Sequence, residues 1–347
     1  MTERRLYLDV GIGESRGVVT LDGRPERLLI ERDGDLARQR LGARLVGRVR
    51  RVERASAIAF IDVGDGPDAV VNLSPADGRL VEGAAVEIEI RSQARGDKGA
   101  TARLVGPAEG PPCLIAPGPS LEEQLRAFAH TVEVRTGGVA RSMADSAQEE
   151  ALATVFELPG GGSVAIETTR ALTAVDVDLG GRQGGDAKRA ARAANFAALS
   201  MAARVLRLKG LGGLIVVDLV GRGHDGPALL SGARGSFGPD NPGVAIAPIS
   251  RFGVIELTVP RRARPAIDIL TGGADTQSDL TVALALVRSI ERQATSDPGA
   301  RFEAVAAPQI AAATEPYMEA LRAKLGSRVT LVADAARSRA QSEVVGR

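Results

Sequence analysis

The chain has 347 residues, of which 44% are apolar, and its 44 Lys and Arg nearly balance its 43 Asp and Glu. A net charge of +1 argues against a protein that binds nucleic acid by charge alone, and the single cysteine, Cys113, excludes an internal disulfide framework and a multi-cysteine zinc site. No apolar run approaches the length of a membrane span and no signal-peptide core follows Met1, so we expect a cytoplasmic protein that does not insert into membranes.

The first thirty residues predict a small antiparallel meander. Apolar residues alternate in three runs, at 6–10, 18–21 and 28–30, and glycine-containing turns separate the runs. Edge strands of this kind need a partner from elsewhere in the chain.

Residues 41–105 predict a separate β-barrel made of short strands. The order of these strands, from the basic GRVRRV to AFIDVG, resembles an S1 domain, an RNA-binding barrel of the OB-fold. On that barrel Phe60 would be a platform on which a base stacks. Three arginines would form an edge that neutralises the RNA backbone, namely Arg48, Arg50 and Arg51. The alternative is that Phe60 only fills the interior of the barrel.

The next segment, residues 107–162, begins with proline-rich linker sequence. Ser120 and Glu123 have the spacing of a capping box and predict a short helix that reaches His130. A strand then ends in Arg135-Thr136-Gly137-Gly138. A guanidinium, a hydroxyl and exposed backbone N–H groups together suit a phosphate.

Two apolar strands that end in carboxylates form the centre of the sequence. One strand is residues 172–178, in which Asp176 and Asp178 share a face, and the other is residues 214–218, which ends in Asp218. Residues 188–209 between them have helical periodicity, so we predict a βαβ crossover with parallel strands and the carboxylates at one edge. Oxygen ligands alone indicate Mg²⁺ or Mn²⁺. The alternative is that the aspartates merely cap strands and helices.

The remaining sequence predicts a long loop and a small C-terminal lobe. Residues 221–243 are rich in glycine and show little periodicity, which is typical of a loop. A strand follows at 249–257, with basic residues at 261, 262 and 264 after it. A helix at 280–293 then leads to a strand, a helix and a strand within residues 302–332.

Several of these motifs together resemble the ribonuclease E/G family of bacterial endoribonucleases. They are RTGGV (135–139), ALTAVDVDLGGRQGGD (171–186), LRLKGLGGLIVVDLV (206–220) and ISRFGVIEL (249–257). The resemblance implies that Asp176 and Asp218 bind the catalytic metal and that Asp178 occupies the position of an active-site asparagine. It also implies that Arg135 and Thr136 belong to a sensor of the RNA 5′-monophosphate.

The resemblance also implies a multidomain fold of the α+β and α/β classes. An S1 (OB-fold) barrel would be inserted near the N-terminus, beside an RNase H-like element and a DNase I-like catalytic α/β region, with a small C-terminal α/β lobe. The strands of residues 4–32 would pair with residues 152–168. The domain boundaries are 1–36 for the RNase H-like strands, 37–106 for the S1 domain, 107–150 for a reduced 5′-sensor segment, 151–265 for the RNase H-like remainder and the catalytic region, and 266–347 for the C-terminal lobe.

The chain departs from the family pattern at several positions. The asparagine is replaced by Asp178, and the sensor segment is short, so that its helices are largely missing. The glycine-rich loop replaces an expected basic helix, and the second stacking Phe of the barrel is Val70. The cysteine motif that links two subunits through zinc is absent after Arg264, so we expect no zinc and, in a homodimer, no zinc link.

These motifs and departures are compatible with two functions. The first is an endoribonuclease that uses Mg²⁺, or Mn²⁺ in its place, to cleave single-stranded RNA during RNA processing or decay. The second is a catalytically impaired RNA-binding or regulatory relative. The two metal carboxylates favour the enzyme, whereas the missing basic helix favours the binding protein.

Overall fold

The structure is a computed structural model that describes residues 3–95, 98–181, 187–223, 225–239, 241–274 and 276–346. Its strands, numbered in chain order, are β1 (Arg4–Val10), β2 (Glu14–Leu21), β3 (Arg24–Arg32), β4 (Arg44–Glu53), β5 (Ile58–Asp62), β6 (Ala69–Asn72), β7 (Ala85–Ser92), β8 (Thr101–Pro107), β9 (Cys113–Ala116), β10 (Val134–Arg135), β11 (Val155–Glu157), β12 (Ser163–Thr168), β13 (Thr173–Asp178), β14 (Gly213–Asp218), β15 (Ala245–Ile246), β16 (Val254–Val259), β17 (Phe302–Ala306), β18 (Val329–Ala333) and β19 (Ser342–Gly346). Its helices are α1 (Leu121–Arg126), α2 (Gly138–Leu152), α3 (Ala187–Lys209), α4 (Gly226–Phe237), α5 (Ala266–Thr271), α6 (Asp279–Ser296) and α7 (Pro308–Leu325). Over these ranges, every helix is too short or too polar to cross a bilayer.

The predicted N-terminal meander is present as β1, β2 and β3. Its partner strand is β10, which runs parallel to β1 and places Val134 beside Leu6. The expected pairing of residues 4–32 with residues 152–168 is therefore wrong. The strands of that second segment, β11 and β12, instead extend the sheet that contains β13, where Val164 and Ile166 are buried in the core under α3.

The predicted barrel is also present. Strands β5, β6, β8, β7 and β4 follow one another around it, and β4 pairs with β5 to close the ring. Strand β9 pairs with β4 outside the ring. Fully buried aliphatic side chains such as Leu45, Ile61 and Ile88 fill the interior. A closed five-stranded barrel of this kind is compatible with an S1 domain.

The predicted βαβ crossover forms the centre of the mixed sheet β11-β12-β13-β14-β16-β15. Strands β13 and β14 are parallel, and α3 connects them. Helix α3 buries a stripe of small and aliphatic side chains at helical spacing, which includes Ala194, Ala198 and Ala202, against one face of the sheet. The helix ends before Gly210, whose φ of +69° suits glycine.

The glycine-rich segment after β14 is not simply the predicted loop, because it contains α4. The side chain of Asp225 caps the helix, and Leu229, Ala233 and Phe237 are buried four residues apart. Glycines within the helix hid this period in the sequence. The helix supplies a single cation, Arg234, so a helix is present where the sequence predicted a loop, but it is not basic.

Residues 107–150, predicted as a reduced 5′-sensor segment, hold one predicted helix and one that the sequence did not predict. Ser120 caps α1 through the predicted capping box, but α1 ends at Arg126 rather than at His130. The unpredicted helix is α2, which packs against the N-terminal sheet. Its buried side chains are mostly alanines, so its apolar stripe is weak in the sequence: Ala140, Ala144, Ala147 and Ala151.

The C-terminal lobe contains a three-stranded sheet in which β17 lies between β18 and β19, packed with α6 and α7. Strand β17 spans the predicted residues, α7 begins seven residues before the predicted Glu315, and β19 was not predicted. Most residues of β19 are exposed, and its short valine pair gives little periodicity.

Buried ion pairs join this lobe to the N-terminal sheet. The carboxylate of Glu14 accepts hydrogen bonds from Arg32 at 2.8 Å and from Arg288 of α6 at 2.6 Å. Burial lowers the pKa of Arg288, which the Glu14 carboxylate partly offsets. Because an unpaired buried charge is costly, these pairs couple the lobe to the sheet.

A buried amide fixes the chain just after β14. Asn195 of α3 is 0% exposed, and its side chain makes two hydrogen bonds to Val220. It donates to the carbonyl oxygen and accepts from the N–H, both at 3.0 Å. Asn195 thereby holds the position of the residues that follow Asp218.

We predict that Asn195→Ala lowers the free energy of unfolding by about 1–3 kcal/mol, because it leaves two backbone groups of Val220 without partners. The measurement is urea denaturation followed by circular dichroism. Ser200→Ala, an exposed change on the same helix, is the control and should stay within about 0.5 kcal/mol of the parent. Equal stability of the two variants would contradict a stabilising role for the hydrogen bonds between Asn195 and Val220.

Candidate active site at the carboxyl edge of the central sheet

Two aspartates lie side by side at the end of the parallel strand pair. Asp176 of β13 and Asp218 of β14 are direct partners in the ladder, in the predicted order and at the predicted edge. Neighbouring strands lie about 4.8 Å apart, so the two carboxylates start from adjacent backbone positions. Val175 and Val217 point into the core, which turns both acids to the open face of the sheet.

The same open face carries a further row of side chains across the sheet. Asp176 is flanked on its other side by Ala165 of β12, and Asp218 by Val254 of β16. Glu256, two residues along β16, is exposed on this face beside Val216. Glu256 was not predicted as a site residue, although its alternation with buried neighbours in β16 is visible in the sequence.

Asp178 differs from the other two acids because it already has a partner. Its Oδ1 atom accepts a hydrogen bond from the N–H of Gly180 at 2.8 Å and so orders the turn after β13. The side-chain carboxylates of Asp176 and Asp218 have no hydrogen-bond or ion-pair partner among the residues that the structure describes. The rest of the predicted motif, residues 182–186, lies outside the described residues.

This arrangement fits a divalent cation. Two unpartnered carboxylates on adjacent strands repel each other, and a hard cation with oxygen ligands removes that repulsion. Within the described ranges no three His, Cys, Asp or Glu side chains are grouped closely enough to hold a metal. If a Mg²⁺ or Mn²⁺ ion binds at this edge, its protein ligands would be the pair Asp176 and Asp218, with water or substrate oxygens completing its shell.

The barrel carries the second predicted group of site residues. Phe60 is half-buried, while its neighbours Ala59 and Ile61 fill the barrel core, so the ring is not part of the core. The guanidinium of Arg51 lies 4.5 Å from the centre of the ring. The ring therefore lies on the outer surface, where one of its faces already contacts a cation.

The three barrel arginines are less available than their charges imply. Arg50 forms ion pairs with Asp62 at 3.1 Å and Asp68 at 3.2 Å. Arg51 pairs with Glu53 at 2.8 Å, and Arg48 donates to the carbonyl of Gly83. All three side chains are exposed, so an RNA phosphate could exchange for these weak surface partners.

The third predicted group lies on the N-terminal sheet. Arg135 of β10 and Thr136 are both exposed, and they come directly before the first turn of α2. The guanidinium of Arg135 lies 5.9 Å from the centre of the Tyr7 ring. The predicted site residues thus lie on three separate sheets: the aspartates on the central sheet, Phe60 and the three arginines on the barrel, and Arg135 on the N-terminal sheet.

A basic cleft at the opposite end of the same strands was not predicted. It has a volume of about 790 Å³, and it is lined by the start of β13, by α5 and by the barrel. Its cations are Arg95, Lys98, Arg170, Arg261 and Arg264. Burial raises the pKa of its carboxylate Asp268 and lowers the pKa of Arg261, which nearby Arg95 lowers further. The cluster after β16 was visible in the sequence, but only the fold brings the barrel cations to it.

Known proteins match part of this chain, including the strand pair with Asp176 and Asp218. Residues 120–262 match the model of the Ribonuclease E/G family. Ribonuclease E of Escherichia coli is 29% identical over 198 residues, which cover 53% of this chain and 19% of that protein. Ribonuclease E of Haemophilus influenzae is 29% identical over 178 residues, or 48% of this chain and 19% of that protein. The chloroplastic Ribonuclease E/G-like protein of Arabidopsis thaliana is 33% identical over 118 residues, or 33% of this chain and 12% of that protein.

The matched part of this chain corresponds to about a fifth of each of the two bacterial relatives. The segment that the family model matches contains the strand pair with Asp176 and Asp218, the crossover helix α3 and the turn before β16. On these matches, residues 120–262 of the chain are similar to the ribonuclease E/G family.

Proposed function

We propose that this protein is a Mg²⁺-dependent endoribonuclease that cleaves phosphodiester bonds in single-stranded RNA. The observation that carries the proposal is the pair of exposed aspartates, matched in register and without partners among the described residues. The model of the Ribonuclease E/G family matches the segment that contains this pair, and relatives that bear the name ribonuclease E match about half of the chain. The products would carry 5′-phosphate and 3′-hydroxyl ends.

The residues at the edge have separable roles in this proposal. Asp176 and Asp218 bind and orient the cation, and a bound Mg²⁺ supplies charge neutralisation and an activated water. Asp178 holds the turn after β13 through Gly180 and places a third negative charge beside the RNA. The open face of the sheet leaves room for the RNA backbone.

Regions outside the edge would bind the rest of the RNA. We propose that the barrel is an S1 domain on which a base stacks against Phe60, and that the N-terminal sheet is the RNase H-like element. The sheet that contains β13 and β14 would then be the DNase I-like catalytic region. Arg135 and Thr136, exposed before α2, would contact the 5′-phosphate.

One observation favours the alternative of an RNA-binding relative without activity. The helix α4, which follows the catalytic edge, carries a single cation, Arg234. Fewer cations would hold the RNA backbone less firmly near the aspartates. The alternative predicts RNA binding without cleavage, so one assay separates the two functions.

We predict that the parent protein cleaves 5′-monophosphorylated single-stranded RNA in Mg²⁺ and not in EDTA. Asp176→Asn and Asp218→Asn should each lower the rate about 100-fold or more, because each removes one of two metal ligands. Gel analysis of a 5′-labelled RNA over a Mg²⁺ titration measures the rate. Glu157→Gln, an exposed carboxylate on β11 of the same sheet, is the matched control and should leave the rate unchanged.

Either of two results would refute the proposed endoribonuclease activity. Cleavage that persists in EDTA, or in both aspartate variants, would come from a different site or a contaminant. RNA binding by the parent without cleavage at any Mg²⁺ concentration would leave the alternative function.

Asp178→Asn should raise the rate. An asparagine oxygen can still accept the hydrogen bond from Gly180, while one negative charge near the scissile phosphate is removed. Like charges a few ångströms apart in water repel by roughly 1 kcal/mol, which corresponds to about fivefold in rate. If the rate instead falls and higher Mg²⁺ restores it, Asp178 is a metal ligand and the proposed role is wrong.

Phe60→Ala should weaken binding of single-stranded RNA by about 1–3 kcal/mol, the usual contribution of a stacked base. Fluorescence anisotropy with a labelled RNA in EDTA measures binding without cleavage. Ile115→Ala removes an exposed apolar side chain from β9 of the same barrel and is the control. Unchanged affinity in a folded Phe60→Ala protein would refute stacking at this ring.

A further inference from the structure

The turn before β16, the strand that pairs with Asp218, carries an exposed aromatic ring. Phe252 is 77% exposed, and it is the sole aromatic residue among the large exposed hydrophobic side chains of the described residues. Leaving such a side chain in water forfeits the stabilisation that burial would give. Packing in the hydrophobic core therefore does not explain the presence of Phe252 at this position.

The backbone that carries this ring is ordered by its own hydrogen bonds. The N–H of Ser250 donates to the carbonyl of Val254 at 2.9 Å, and the N–H of Gly253 donates to the carbonyl of Ser250 at 3.0 Å. The hydroxyl of Ser250 also accepts from the N–H of Phe252 at 3.2 Å. Gly253 has a φ of +88°, which a residue with a side chain rarely adopts. The turn thus presents the ring from a fixed base.

This turn adjoins the row of residues that contains the aspartates. Val254 pairs directly with Asp218, and the N–H of Leu219 donates to the carbonyl of Gly253 at 3.3 Å. Phe252 precedes Val254 by two residues, which span about 7 Å at most. The backbone of Phe252 therefore lies within about 7 Å of Val254, the ladder partner of Asp218, which is about the length of one nucleotide.

The neighbouring Arg251 adds a cation to the same turn. Its guanidinium lies 4.8 Å from the centre of the Phe252 ring. The side chain is exposed, and no carboxylate pairs with it among the residues that the structure describes. The turn thus offers one flat apolar face and one available positive charge.

We infer that Phe252 and Arg251 form a subsite for one nucleotide next to the scissile phosphate, in which the ring stacks on the base and the guanidinium contacts the adjoining phosphate. This inference rests on the proposed function for the identity of the strand as RNA. A single ring on a polar edge is too small to dock an apolar protein surface, whereas one base covers it fully. Stacking of this kind tolerates all four bases, so the subsite positions RNA without selecting a sequence.

The test uses short single-stranded RNAs in which 2-aminopurine, whose fluorescence falls on stacking, replaces one base at a time. Measurements in EDTA separate binding from cleavage. With the parent protein we expect quenching to be strongest at one position. Phe252→Ala should remove the quenching at that position and weaken binding about 5- to 150-fold. Phe252→Tyr should keep both effects.

Two further variants make the test specific. Phe252→Leu keeps an apolar side chain of similar size and should still lose the position-dependent quenching. It also serves if the alanine variant fails to fold. Val155→Ala, an exposed apolar change on β11 at the far edge of the same sheet, should behave as the parent protein.

The phosphate contact of Arg251 has its own measurement. For single strands, each phosphate contact contributes about 0.7 to the slope of log affinity against log salt concentration. Arg251→Gln should therefore reduce that slope by about 0.7, and Arg251→Lys should preserve most of it.

The outcomes separate this subsite from the proposed function. If Phe252→Ala and Phe252→Leu bind and quench like the parent protein, the subsite is refuted even when cleavage is intact. If binding depends on Phe252 but no protein cleaves RNA, the subsite stands and the enzyme fails. If the parent protein binds no single-stranded RNA, both are overturned.

Discussion

The register between two parallel strands is the constraint on which the candidate site depends. Asp176 and Asp218 meet because β13 and β14 pair in parallel, with α3 as the crossover between them. A slip of one residue would turn one aspartate into the core and a valine to the surface, since side chains alternate along a strand. The apolar stripe of α3 prevents that slip, because Val175 and Val217 must both face it.

Buried polar side chains hold the chain after β14 and the N-terminal sheet in position. Asn195 holds Val220, so the chain leaves β14 along one path. Arg16 of β2 is 1% exposed and pairs with Asp9 and Asp145, which ties the N-terminal sheet to α2. Such groups tolerate few alternative arrangements, since any rearrangement would leave a charge or an amide without a partner.

The departures from the family pattern have structural explanations of different kinds. Helix α4 forms after the edge with Asp176 and Asp218 although it carries a single cation, because burial of Leu229, Ala233 and Phe237 is sufficient to order it. Helix α2 persists in the shortened sensor segment on a stripe of alanines. At position 178 the carboxylate supports a turn, a role that does not require its charge.

The sequence alone determined the local elements of this protein and the chemistry at their ends. Alternation predicted β1 to β3 and the barrel strands, helical spacing predicted α3, and the aspartates at the strand ends predicted an acidic edge, since these patterns depend on neighbours close in the chain. The tertiary structure alone decided that β10 joins β1, that a cleft combines Arg95 with Arg261, and that Phe252 stays in solvent beside Asp218. Each of these depends on contacts between segments far apart in sequence, or on a lack of burial, and local periodicity records neither.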